Sequence, residues 1–116
     1  MKDSYSLKEL GIYHCAFTRE KALQVISKLK KANIGILGGD VLKLMDDGSI
    51  EFTNNNWSCN HKTGESHEHF VERSYYIAQE FIENYLPDKP DIFLFDIVHD
   101  WKPTKQNYVI FPWEYR

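Results

Sequence analysis

Residues 38–74 have the sequence GGDVLKLMDDGSIEFTNNNWSCNHKTGESHEHFVERS, and the fold depends on this stretch. Two β-prone runs flank the turn-forming residues 46–49 (DDGS), a pattern that predicts a β-hairpin. A polar loop is expected over residues 54–66, and a long amphipathic helix follows it. Because polar side chains cannot order such a loop by burial, we expect packed neighbours or a binding partner to do so.

Two amphipathic helices are predicted from apolar residues that recur at helical spacing. The first covers residues 19–32 and follows Thr18, a suitable N-cap. The second covers residues 67–85, with Ser66 or Thr63 as its cap. Prolines shortly after residue 85 enforce its end.

Further strands are predicted on both sides of this central stretch. Residues 91–98 (DIFLFDIV) are apolar on both faces for most of their length, which indicates a central strand. Residues 108–111 are predicted to form the last strand, antiparallel to residues 91–98. Residues 12–17 are also β-prone, whereas residues 4–10 favour a short helical turn.

Length and composition indicate one globular domain that spans residues 1–116. Hydrophobic residues make up 42% and charged residues 27% of the chain, which is typical of globular proteins. Together with the predicted elements, these values indicate an α+β fold: two main helices packed on one mostly antiparallel sheet of about four or five strands.

The charge distribution bears on the class of partner. The net charge of −3 argues against nucleic-acid binding, because that function requires a basic surface. Residues 1–58 hold 8 Lys/Arg and 7 Asp/Glu, whereas residues 59–116 hold 6 and 10. The second half of the chain therefore favours a basic partner.

The sequence also favours a cytoplasmic location. No stretch approaches the roughly 20 apolar residues of a membrane span, and the first residues lack the apolar segment of a secretion signal. Cys15 and Cys59 lie far apart in sequence and are not accompanied by further cysteines. We therefore expect two free thiols in a reduced compartment and no membrane contact.

A metal or thiol site is the first chemical hypothesis. Four potential metal ligands lie within residues 59–69. Their spacing is poor, because two of them are two residues apart on the second predicted helix and therefore point about 200° apart around its axis. The sequence contains neither a C-x-x-C nor an H-x-x-x-H pair. A small metal-dependent or thiol enzyme remains the alternative to a binding protein, with a stable homo-oligomeric subunit as a third possibility. The residues of the enzyme hypothesis are Cys59, His61, His67 and His69.

Acidic residues in and before the second predicted helix form another candidate site. Glu65, Glu68 and Glu72 fall on one side, opposite the apolar stripe, and Glu80 and Glu83 continue near it. Such a row is typical of a solvated face. It is also the arrangement that attracts a basic partner and discriminates among partners.

Trp57 and the glycine pair are the remaining outliers. Trp57 either folds back over the core or is an exposed anchor for a partner. Gly38 and Gly39, followed by Asp40, lack the further residues of a phosphate-binding loop. We expect the glycines to give the chain unusual dihedral angles at the hairpin entry, with Asp40 accepting bonds from backbone amides.

Four short segments occur in a defined order: residues 38–41 (GGDV), 56–59 (NWSC), 64–66 (GES) and 71–74 (VERS). In this order and spacing the chain resembles the immunity protein 40 family of bacterial polymorphic toxin systems, over residues 19–97. The resemblance implies a small cytosolic α+β protein that is encoded beside a toxin and neutralises it by binding, without catalysis or a cofactor.

The resemblance favours a binding role for the acidic helix face and for the tryptophan, which together would form a surface for the toxin. We expect the toxin domain to be basic and to be blocked sterically and electrostatically. The residues expected to contact it are Trp57, Glu65, Glu68 and Glu72. The residues expected to form the scaffold of this stretch are Gly38, Gly39, Asp40 and Ser66.

Overall fold

The computed structural model describes residues 3–8, 15–85 and 92–100. Within them, two α-helices pack against one antiparallel β-sheet, so the predicted α+β class is confirmed. The elements are β1 (Ser4–Ser6), β2 (Cys15–Phe17), α1 (Arg19–Lys31), β3 (Ile36–Leu44), β4 (Ile50–Ser58), α2 (His67–Asn84), β5 (Ile92–Phe95) and β6 (Val98–His99).

Strand β3 pairs with three other strands, β4, β5 and β6. The strand order is β1-β2-β5-β3-β4, β6 also pairs with β3, and every pairing is antiparallel. Among the strands that the structure describes, β4 is therefore an edge strand. One of its flanks is hydrogen-bonded to β3, and its side chains are mostly exposed.

Within the described residues the sheet has six strands, one more than the upper end of the predicted four or five. The difference arises from β1 and β6, which have three and two residues and are too short to show a periodic pattern. The helical turn predicted for residues 4–10 is wrong at its start, because Ser4–Ser6 pairs with Cys15–Phe17 as a strand, and its last two residues lie outside the described ranges. The strand predicted over residues 108–111 lies outside the described residues.

Both helices begin at a capped residue. The Thr18 hydroxyl accepts a hydrogen bond from the Lys21 amide at 3.4 Å, and the Ser66 hydroxyl accepts one from the His69 amide at 3.1 Å. After α1 the chain turns at Asn33, whose φ of 61° is a left-handed conformation that asparagine tolerates.

The helices share a core with one face of the sheet, and a smaller cluster lies on the opposite face. The buried Ser74 hydroxyl links α2 to β3, because it accepts from the Ile36 amide at 2.9 Å and donates to the Val71 carbonyl at 3.0 Å. The main core residues of the helices are Ala22, Val25, Ile26, Leu29, Ala78 and Ile82, and the sheet contributes Phe17, Ile36, Val41, Trp57, Phe95 and Ile97. The smaller cluster consists of Leu7, Ala16, Leu42 and Leu94.

The hairpin forms at the predicted turn, but the polar loop predicted over residues 54–66 is wrong in its first part. Residues 54–58 continue β4, so Trp57 lies on a strand. The strand is interrupted by a bulge, because Asp40 pairs with Asn56 whereas Leu42 pairs with Phe52. Asparagines are rare in strands, and here they are tolerated because they lie beside the bulge of an edge strand.

A buried carboxyl group lies where β5 ends. Asp96 is 2% exposed, and its Oδ1 accepts a hydrogen bond from the Asp40 amide at 2.7 Å. Burial raises the pKa of Asp96 to about 7, and the nearby Asp40 carboxyl group adds to the rise, whereas the bond from the Asp40 amide opposes it. The native state therefore holds a proton on Asp96 more tightly than the unfolded chain does.

This difference predicts a pH-dependent stability. The contribution of Asp96 to the free energy of unfolding is full below the unfolded pKa of 3.8 and is lost as the pH rises through about 7. We expect Asp96→Asn, which keeps an oxygen acceptor for the Asp40 amide, to gain stability over the wild type as the pH rises from about 4 to 8. The gain should be on the order of 1–3 kcal/mol, measured by urea unfolding at a series of pH values. The exposed Asp46, changed to Asn, controls for the loss of one carboxylate, and equal pH profiles for the two variants would contradict the expectation.

Candidate partner-binding surface

Arg73 fastens the segment after β4 to helix α2. Its guanidinium group makes a bidentate ion pair with Glu65, from Nε to Oε2 at 2.7 Å and from Nη2 to Oε1 at 2.8 Å. It also donates to the Asn60 carbonyl at 2.7 Å and to the Cys59 Sγ at 3.1 Å. One side chain of α2 thus fixes three points of residues 59–65.

Glu65 is held on all sides by this arrangement. Its side chain is 4% exposed, and the carboxylate also accepts from the Lys62 amide at 3.0 Å and lies 2.7 Å from His69 Nδ1. The hydrogen bonds from Arg73 lower the pKa of Glu65 well below its usual range, although burial acts in the opposite direction. The carboxylate is therefore ionised and fully engaged within the protein.

Trp57 lies on β4 and is buried, with 8% of its surface exposed. The edge of its indole occupies space that a side chain at Gly39 would need, because a Cβ added there would lie 2.3 Å from Trp57 Cη2. A Cβ at Gly38, whose φ is 148°, would lie 2.3 Å from the Trp57 carbonyl oxygen. The indole also packs against Phe81 of α2, with ring centroids 4.9 Å apart. The glycine pair thus lets a tryptophan fit between the hairpin and the helix.

A groove of about 490 Å³ runs between β4 and the end of α2. Half of its lining residues are aromatic, and Glu80 supplies the charged group in the lining. The amide of Asn55 donates to the Tyr85 hydroxyl at 2.9 Å and so joins the strand to the end of the helix. The lining residues are Trp57, Ile77, Glu80, Phe81, Asn84 and Tyr85.

The outer face of α2 is acidic. Helix α2 contains one arginine, Arg73, whose charge is compensated by Glu65, and it contains no lysine. Four glutamates of α2 are exposed, and none of them forms an ion pair with another described residue. Tyr76, which is 52% exposed, lies at helical spacing among them. The four glutamates are Glu68, Glu72, Glu80 and Glu83.

The comparison with known protein families identifies the chain. The family model described as Immunity protein 40 matches residues 6–99. The chain belongs to the immunity protein 40 family. The match extends beyond the residues 19–97 over which the sequence resembles the family. No curated protein and no solved structure matches the chain significantly.

The four ligands of the enzyme hypothesis, Cys59, His61, His67 and His69, do not converge in this member of the immunity protein 40 family. The ring of His61 packs against a phenylalanine at 4.9 Å, His67 Nε2 lies 2.7 Å from the backbone oxygen of Asn33, and His69 contacts Glu65. Among residues 3–8, 15–85 and 92–100, no group of three or more His, Cys, Asp or Glu is placed to hold a metal ion. In the same ranges, no helix has the length and apolar character that crossing a membrane requires.

The predicted site residues lie in different environments in this member of the immunity protein 40 family. Glu68 and Glu72 are exposed on the acidic face, Trp57 forms a wall of the groove, and Glu65 is enclosed by Arg73. Gly38 and Gly39 accommodate the tryptophan, the Asp40 amide binds Asp96, and Ser66 caps α2.

Sequence reasoning missed the importance of Arg73 and Tyr76. A signal for Arg73 is present, because it is the one arginine of an otherwise acidic helix and follows Glu65 by two helical turns. No sequence signal marks Tyr76, because an exposed tyrosine and a half-buried tyrosine can occur at the same helical spacing.

The ion pair between Glu65 and Arg73 predicts an acid-sensitive contribution to stability. Because the pKa of Glu65 is depressed, the contribution is present above the unfolded pKa of 4.5 and is lost as the pH falls below that value. We expect Glu65→Gln to lower the unfolding temperature by several degrees at pH 7, and this difference from the wild type should shrink at pH 3. Circular dichroism during heating measures both values.

The control for this experiment is Glu72→Gln, which removes an exposed glutamate of the same helix. We expect it to leave the unfolding temperature nearly unchanged at both pH values. Equal effects of the two substitutions at pH 7 would contradict the role assigned to Glu65.

Proposed function

We propose that this protein is an immunity protein that binds a cognate bacterial toxin domain in the cytoplasm and thereby neutralises it. Membership of the immunity protein 40 family supports the proposal. In this proposal the protein acts as a stoichiometric inhibitor, without catalysis or a cofactor, and binds neither nucleic acid nor a membrane. The toxin is encoded beside it in a polymorphic toxin system.

The acidic outer face of α2 is the observation that best supports a binding role. Four exposed glutamates surround an exposed tyrosine, whose ring lies beneath the Lys30 ammonium group, and no described cation forms an ion pair with the glutamates. Interfaces of high affinity often place an aromatic anchor within a ring of polar groups. Unpaired charges of one sign attract a partner of the opposite sign and accelerate association. The arrangement therefore fits a basic toxin domain.

The four residues that sequence analysis assigned to toxin contact receive different roles in this proposal. Glu68 and Glu72 contact the toxin directly, because their carboxylates are exposed. Trp57 contributes through the wall of the groove, and Glu65 contributes indirectly, because it holds Arg73 and the segment that precedes α2.

The mechanism proposed is steric and electrostatic blockade by a preorganised surface. Helix α2 is fixed at its start by the Ser66 cap and the ion pair of Arg73, and in its middle by the buried Ser74 hydroxyl. Because the helix is already ordered in the free protein, little conformational entropy is lost when the toxin binds.

Co-expression of the chain with the product of its neighbouring toxin gene tests the proposal. We expect the two proteins to co-purify and the chain to abolish toxicity. The double variant Glu68→Gln/Glu72→Gln should lower the association rate about tenfold at low salt, with little effect at high salt, because the charges act over a distance. Surface plasmon resonance at two salt concentrations measures this effect.

The matched control removes two glutamates outside α2, with Glu20→Gln/Glu51→Gln. We expect it to retain most of the wild-type association rate. If the wild-type chain neither binds the neighbouring gene product nor protects cells from it, the proposed function is wrong. If it binds and both double variants behave alike, the protein is an immunity protein that uses another surface.

A further inference from the structure

We infer that the groove between β4 and the end of α2 binds an arginine side chain of the toxin. This inference rests on the proposed function and specifies the chemistry of the partner at one point of the surface. The groove has about 490 Å³, which lies within the range of roughly 300–1,000 Å³ that is usual for ligand sites.

The lining of the groove matches the two parts of an arginine side chain. Aromatic rings of Trp57, Phe81 and Tyr85 offer flat apolar surfaces to its methylene stem and to its planar guanidinium group. Glu80 supplies a carboxylate, to which a guanidinium group can donate two parallel hydrogen bonds. A lysine lacks the planar head group and fits such a site less well.

The charge at this end of α2 also favours a cation. The last turn of the helix contains no basic residue, and Glu80 and Glu83 add negative charge where the helix dipole is already negative. Arg19 of α1 partly compensates by donating to the backbone oxygens of Glu83 and Tyr85. No described cation pairs with the carboxylate of Glu80, which is a lining residue of the groove.

The nearby cations are engaged elsewhere. Arg73 is bound to Glu65, and the Lys30 ammonium group lies over the rings of Tyr75 and Tyr76, at 4.6 and 4.8 Å from their centroids. An apolar side chain in the groove would leave the Glu80 carboxylate desolvated and unpaired, which is unfavourable. An arginine satisfies both the apolar walls and the charge.

A titration followed by NMR tests the inference without the toxin. The probe is the blocked tripeptide acetyl-Gly-Arg-Gly-amide, and its neutral isostere is the same peptide with citrulline in place of arginine. We expect the arginine peptide to shift the indole N–H signal of Trp57, with a dissociation constant in the millimolar range. The citrulline peptide should bind at least about tenfold more weakly, since it lacks the charge.

Two variants and one control locate the binding. Glu80→Gln should weaken the arginine peptide about tenfold, because it removes the charge and preserves the shape. Asn84→Arg places a guanidinium group one turn after Glu80, where it pairs with the carboxylate and blocks the probe. Glu51→Gln, which removes an exposed carboxylate of β4 outside the groove, should retain wild-type affinity.

The outcomes separate this inference from the proposed function. No shift with the arginine peptide, or equal shifts with the arginine and citrulline peptides, would overturn the inference. Affinity for the toxin measured with the same variants then gives the second result: Glu80→Gln and Asn84→Arg should weaken the complex at least tenfold. A toxin complex that forms normally with both variants would overturn the groove as its binding site and leave the proposed function intact.

Discussion

The packing of Trp57 against Gly39 is the constraint on which this structure depends. The edge of the indole takes space that any β-carbon at position 39 would need, and the ring also meets Phe81. Strand β4 has little other apolar surface to bury, since most of its side chains are exposed. The tryptophan therefore accounts for much of the attachment of β4 to α2, and loss of such a buried ring costs about 3–5 kcal/mol. The same ring forms one wall of the groove.

A second constraint divides the charges of this part of the molecule between a half-buried ion pair and an exposed acidic surface. Arg73 is bound to Glu65, and this pair orders the segment that leads into α2. Because the only arginine of the helix is used in this way, the glutamates on its outer face lack an internal partner. The ion pair between Arg73 and Glu65 thus both orders the segment before α2 and leaves the outer face of the helix negatively charged. The arrangement gives this member of the immunity protein 40 family an ordered helix with an acidic outer face, which is the surface proposed to bind a toxin.

Local sequence patterns predicted both helices, the hairpin turn and the α+β class, because these features depend on periodicity and on short turn motifs. The order of four motifs also indicated the family, which the family match confirmed. The burial of Trp57 was not resolved, because it depends on a glycine of the neighbouring strand. The engagement of Glu65 was missed for a similar reason, since its partner lies eight residues later. Both interactions are properties of packed elements, and one sequence considered alone does not show which elements meet.

Hydroxyl-radical footprinting of the toxin complex tests the central claim, namely that the outer face of α2 binds the partner. Two exposed aromatic residues serve as reporters: Tyr76 on α2, 52% exposed, and Phe52 on β4, 44% exposed. We expect binding of the neighbouring toxin to protect Tyr76 from oxidation at least about fivefold and to leave Phe52 nearly unchanged, because only Tyr76 lies among the unpaired glutamates. Protection of Phe52 without protection of Tyr76 would contradict the account.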